Sequence, residues 1–116
     1  LEIKPNFAYG YLMLGVFNEL ENESLKAKDY YLKFASIKAE NYSKKKLDSE
    51  ELKNLKVEKL MDYYLLNDTV SFKTTLSELE KKYSGDLLIS GVKQQFESES
   101  RKEIILGYIG IAKQGI

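Results

Sequence analysis

The chain has 116 residues, 18 Lys and Arg balanced by 18 Asp and Glu, and neither cysteine nor histidine. This excludes disulfides, thiolate metal sites and a thiol nucleophile, and it removes the commonest general base and the commonest zinc ligand. A net charge near zero argues against nucleic acid, whose phosphates call for a basic excess, and no stretch approaches the roughly 18 apolar residues of a membrane span.

Leu1-Glu2-Ile3-Lys4-Pro5 has neither the basic start nor the apolar core of a signal peptide. A start without Met is expected of an excised or processed chain. Pro5 is the single proline, so nothing after it must break a helix from within. Apolar residues then recur at spacings of three and four, which predicts helices throughout. Helix 1 is expected over about 6–20, with Tyr11, Leu14, Gly15 and Asn18 on one stripe. Helix 2 is expected over about 23–40, N-capped by Asn22, with Ala27, Tyr31 and Phe34 inward. A polar connection carrying Lys44, Lys45 and Lys46 follows. Asp48 and Glu51 form a capping-box pattern that opens helix 3, which runs to about Leu66. After Asn67-Asp68, helix 4 covers about 69–83 with Phe72, Leu76, Leu79 and Tyr83 inward. Gly85 suits a left-handed stop and Asp86 a cap for helix 5, about 87–97. Ser100 and Glu103 form a second box and open helix 6, which runs to about Gln114. Short connections make neighbours antiparallel. The expected fold is therefore all-α, a single helical repeat domain over 1–116 with hairpins at about 6–40, 48–83 and 86–114.

In the first hairpin, Tyr11-x2-Leu14-Gly15-x2-Asn18 precedes Ala27-x3-Tyr31. This resembles the tetratricopeptide pattern of aromatic-x2-Leu-Gly-x2-Tyr followed by Ala-x3-Phe and a closing Pro. Tyr11 stands for the usual Trp, Asn18 for the usual Tyr and Ala39 for the proline. Small residues at Gly15 and Ala27 would face each other and let two helices approach closely. The second hairpin repeats the pattern after shifts of about 45 and 46, with Met61 and Phe72 where small residues stood; this pair should sit further apart. The third fits after a shift of about 77, with Leu88, Gly91, Val92 and Gln95, then Ile104, Tyr108 and Ile111, at the repeat positions. The resemblance implies a right-handed α-solenoid fragment of about six helices, part of a longer chain whose earlier repeats precede Pro5.

Clustered carboxylates, Glu19, Glu21, Glu23 and Glu97, Glu99, Glu103, could suggest acid–base or metal chemistry. Without histidine, or a pocket to shift a carboxylate, helix-end electrostatics is the preferred reading. Lys44 to Lys46 are followed at once by Asp48, Glu50 and Glu51, which cancel much of their field and favour a solvated turn. No phosphate loop, Ser–His arrangement or metal-ligand spacing occurs. No enzyme activity and no cofactor is expected.

By position in the family, a partner groove would include Tyr9, Leu12, Val16 and Glu19 from the first hairpin, and Leu55, Glu58, Asp62 and Leu65 from the second. The lysine and asparagine by which chaperone-binding members hold a terminal carboxylate are absent, because Leu12 and Val16 stand there. The expected function is a protein-binding scaffold with a peptide or protein partner of some basic character. The alternative is self-association into a homo-oligomer through the apolar end helix. Ile104 to Ala112 is apolar on nearly every side, and Ile105 and Ile109 are its candidate contact residues.

Overall fold

The structure, a computed structural model, describes residues 8–43 and 46–115, with side chains detailed except at 41, 42 and 111–115. Pro5, the suggested repeat junction before Ala8, and Lys44 and Lys45 lie outside the described residues. Among the described residues there are six helices and no strand: α1 (Ala8–Leu20), α2 (Ser24–Ser43), α3 (Ser49–Leu65), α4 (Thr69–Lys82), α5 (Leu87–Ser98) and α6 (Arg101–Gly115). None of them is long and apolar enough to cross a membrane. The helices fall into two compact units. One holds α1, α2 and α6 from Ile105 onward; the other holds α3, α4, α5 and the first turn of α6 up to Ile104. The expected third hairpin is thus divided between the units.

The first unit is built on the α1–α2 pair. Buried α1 residues are Ala8, Leu12, Gly15 and Val16. They meet Ala27, Tyr31, Phe34 and Lys38, which recur at spacings of four, three and four on one face of α2. Burying side chains such as Leu12 and Phe34 stabilises the fold by about 1.5–3 kcal/mol each. The nearest neighbour of Gly15 is the ring of Tyr31 rather than Ala27: a Cβ on residue 15 would lie 2.6 Å from Tyr31 Cδ1. The small residue admits a large ring from the opposite helix. That ring is pinned at its far end, where the Tyr31 hydroxyl donates to Glu19 Oε1 at 2.9 Å. From α6, Tyr108 meets Phe34 edge-on at 6.1 Å. Tyr108 also accepts a hydrogen bond from Lys38 Nζ at 3.0 Å. The Lys38 ammonium lies 4.2 Å from the Phe34 ring centroid, a cation–π contact that offsets the burial of its charge.

The turn after α1 corrects the expected role of Asn22. Its φ is +62°, so it is the left-handed residue that ends α1, not the cap that starts α2. The Glu23 N–H donates to Asn18 O and the Asn22 N–H to Glu19 O, the paired bonds of a Schellman motif. The same device recurs 45 residues on. Asn67 has φ +58°, and Asp68 N–H donates to Tyr63 O while Asn67 N–H donates to Tyr64 O. Asp68 then caps α4 by accepting from the Ser71 N–H at 3.1 Å. The capping box of Asp48 and Glu51 forms as expected, and so does that of Ser100 and Glu103. Gly85, at φ +80°, occupies the left-handed position before Asp86.

The second unit centres on Leu60, Leu79 and Ile89, with Phe72, Leu76, Tyr83, Val92 and Phe96 packed around them. On α5 the inward residue is Ile89, while Leu88 is exposed, so the inner face starts one residue later than expected. Phe96 meets Tyr64 and Phe72 at centroid distances of 5.0 Å each. Arg101, at the start of α6, closes the end of α3. Its guanidinium donates to Tyr64 O at 2.9 Å and Leu65 O at 3.0 Å, and lies 5.2 Å from the Tyr64 ring centroid. Those carbonyls belong to the last turn of a helix, where acceptors lack intrahelical donors.

Two substitutions of glycine by alanine should have opposite signs. Gly15→Ala forces the Tyr31 ring aside and should cost roughly 1–3 kcal/mol. Gly91→Ala, in a helix with nothing within 4 Å of the new methyl, should gain about 0.5–1 kcal/mol. Urea midpoints of both variants check this; equal shifts would refute the Gly15–Tyr31 contact. Arg101→Lys keeps the charge but loses the planar fork, and should lower stability by roughly 1–3 kcal/mol. An unchanged urea midpoint would show that the α3 carbonyls do not depend on it.

Candidate interaction surface

The expected groove residues are placed mostly in the units' own packing. Leu12 is fully buried, and Val16 and Leu65 are buried as well. They hold helices together and present no surface to a partner. Tyr9, Glu19, Leu55, Glu58 and Asp62 are half-buried, and Glu19 accepts the Tyr31 hydroxyl. Ile105, expected on a self-association face, is also buried; Ile109 is half-buried and Leu106 is the exposed large apolar residue of that stretch among the residues whose side chains are described. The physical reason is the aromatic ledge of Phe34 and Tyr108: α6 turns one side toward α2, and Ile105 sits three residues before Tyr108 on that side.

Three exposed apolar residues of the first unit fall in one row on α1, on a face not assigned from the sequence; Leu25 and Leu32 on α2 and Leu106 on α6 are exposed as well. Met13, Phe17 and Leu20 are 36%, 62% and 65% exposed. Their spacings of four and three place them in one row along α1, roughly 10 Å long. This row lies one residue around from Leu12, Val16 and Glu19. The Gly15–Tyr31 contact decides which row is inside, because it turns the Gly15 side of α1 onto α2. Leu25, 82% exposed, follows the turn.

The row borders acidic groups. Glu21 and Glu23 are both exposed; Glu21 follows the C-terminal end of α1, where the helix dipole is negative, and Glu23 stands at the start of α2, where it is positive. No Lys or Arg occurs between Lys4 and Lys26. Lys33 lies over the Tyr11 ring at 5.7 Å, on the flank of α1 away from Met13, since residues two apart point in nearly opposite directions on a helix.

Other candidate sites carry less. The described residues hold no group of acids that could bind a metal ion. Lys46 is exposed. A shallow recess of about 230 Å³ opens at the α3–α4 turn, walled by Tyr63, Tyr64, Phe72 and Phe96. Its rings are those of the second unit's core, and Asp68 at its rim is engaged as the α4 cap. Lys53 and Asp86 form a structural ion pair in which both acidities are shifted. Lys53 Nζ donates to Asp86 Oδ2 at 3.0 Å. This bond is the largest cause holding the Asp86 carboxyl below its ordinary value and the Lys53 ammonium above its own. Asp86 also accepts from the Leu88 and Ile89 N–H groups as the cap of α5. The pair ties α3 to the start of α5 and leaves neither group poised for proton transfer.

No protein-family model, curated protein or solved structure matches the chain. The family resemblance therefore rests on the residues of the first hairpin alone.

The Lys53–Asp86 pair sets a pH window. A depressed carboxylate contributes stability that is present above its unfolded value, about pH 4, and is lost as pH falls through the folded value. A raised lysine contributes stability that is present below about pH 10 and is lost as pH rises through its folded value. The midpoint difference between the wild type and Lys53→Met should therefore be constant near neutrality and shrink at both extremes. A difference that persists unchanged at pH 2 would show that the pair is not its source.

Proposed function

We propose that the chain is a non-catalytic, tetratricopeptide-like helical scaffold that binds a peptide or protein through the outer face of α1. The observation that carries this reading is the exposed row of Met13, Phe17 and Leu20. Three large apolar side chains stand in register on one helix, beside a well-packed inner face, and Phe17 and Leu20 are more than half exposed. Contiguous exposed apolar patches mark interaction sites more often than chance surface. Support for the repeat character comes from the two Schellman turns at Asn22 and Asn67, which end the first helix of each hairpin in the same way. The groove of Leu12, Val16 and Leu65 gives way to this face because those side chains are used in packing. A second reading, homo-oligomerisation through α6, is favoured only by Leu106, 54% exposed.

Site-specific crosslinking separates these readings. A photo-reactive phenylalanine in place of Phe17 should give adducts with another polypeptide in extracts of the source organism. The same group at Thr74, exposed on α4, should give none. An adduct of twice the 13.4 kDa chain from a group at Leu106 would favour the α6 dimer. Equal yields at positions 17 and 74 would remove the case for the α1 face.

A further inference from the structure

The α1 face specifies the chemistry of what it binds, and this step rests on the docking reading above. We infer that it takes the apolar side of a basic amphipathic helix. The row of Met13, Phe17 and Leu20 is two turns long and straight. A partner helix with apolar residues at i, i+3 or i+4, and i+7 matches such a row by ridge packing.

Charge selects among such helices. Along α1 and its following turn, the ionisable groups other than tyrosine are Glu19, Glu21 and Glu23, with no base until Lys26. Glu19 is half-buried and engaged with Tyr31, so Glu21 and Glu23 set the field at the exposed end of the row. The α1 C-terminus adds to the field of Glu21 with the same sign, and the α2 N-terminus beside Glu23 opposes part of it. The opposing cations are Lys26 and Lys28, both exposed on α2, and Lys33 on the far flank. An acidic helix docking beside Phe17 and Leu20 would place like charges together, whereas Lys or Arg flanking the partner's apolar face would meet Glu21 and Glu23. Rim charges of this kind act chiefly on partner choice and association rate, and they weaken with salt.

Two designed helical peptides with the same leucine face test this, one flanked by lysines and one by glutamates, each followed by fluorescence anisotropy against the whole chain. The lysine peptide should bind more tightly by about tenfold or more, and its affinity should fall as salt rises. Glu21→Lys with Glu23→Lys should remove the preference while leaving the circular dichroism spectrum unchanged, since both residues are exposed. Phe17→Ser should abolish binding of either peptide. Equal binding of both peptides, lost in Phe17→Ser, overturns the basic-partner inference and leaves the docking face standing. Binding of the lysine peptide that survives Phe17→Ser places it elsewhere and overturns the inference. Failure of both peptides also overturns it, and crosslinking at position 17 then judges the docking face separately.

Discussion

The ring of Tyr31 lies where any side chain on residue 15 would have to be. That exclusion orients the first unit. It rotates α1 so that Leu12 and Val16 point inward with Gly15, and it leaves Met13, Phe17 and Leu20 on the outside. The Tyr31–Glu19 hydrogen bond fixes the far end of the ring, and rolling α1 to another face would break it. Tyr31, Phe34 and Lys38 continue along α2 as one surface, and Phe34 and Lys38 in turn receive Tyr108. A single missing side chain on α1 thus determines which residues are core and which are available.

The second unit solves the same problem without that device. In the repeat alignment Met61 and Leu76 stand where Gly15 and Tyr31 stand in the first hairpin. Neither a gap nor a ring is present at the equivalent contact, and the core forms from interleaved aliphatic side chains around Leu60, Leu79 and Ile89. Phe72 and Phe96 pack against that cluster and meet Tyr64 ring against ring at the end of α3. Arg101 covers that end with a guanidinium that both stacks on Tyr64 and satisfies carbonyls of α3. The two hairpins share a turn but not a core. A motif that describes the first therefore fits the second poorly.

Helix positions were legible because their signals are local. Asp48, Asp68, Asp86 and Ser100 each start a helix by hydrogen bonds within three residues, and such bonds need no knowledge of the fold. Asn22 was misread because asparagine serves both helix starts and left-handed helix ends; the choice turns on backbone φ, which the residue type alone leaves open. The inner face of α1 was not legible by periodicity. Leu12, Met13, Leu14, Val16 and Phe17 surround the helix with apolar side chains, so no single stripe stands out. The face is settled by a long-range pair, Gly15 with Tyr31. On α5 the run Leu87, Leu88, Ile89 posed the same ambiguity, and the spacing to Val92 and Phe96 settled it in favour of Ile89.

The candidate surface follows from this ambiguity. A helix that only had to pack on α2 would need apolar residues on one side, with polar ones elsewhere for solubility. On α1 the inner side is complete with Ala8, Leu12, Gly15 and Val16, and Phe17 and Leu20 lie beyond it. On α2 Ala27, Tyr31 and Phe34 are inside, and the outer face mixes Lys26, Lys28, Asp29 and Lys33 with the exposed Leu25 and Leu32. What sets α1 apart is that its exposed apolar residues, Met13, Phe17 and Leu20, share one row along the helix. An apolar row bordered by acids, on the helix whose orientation is most tightly fixed, presents its side chains in a preorganised arrangement. Preorganisation reduces the ordering cost of association, and Gly15 supplies it to α1 by admitting Tyr31.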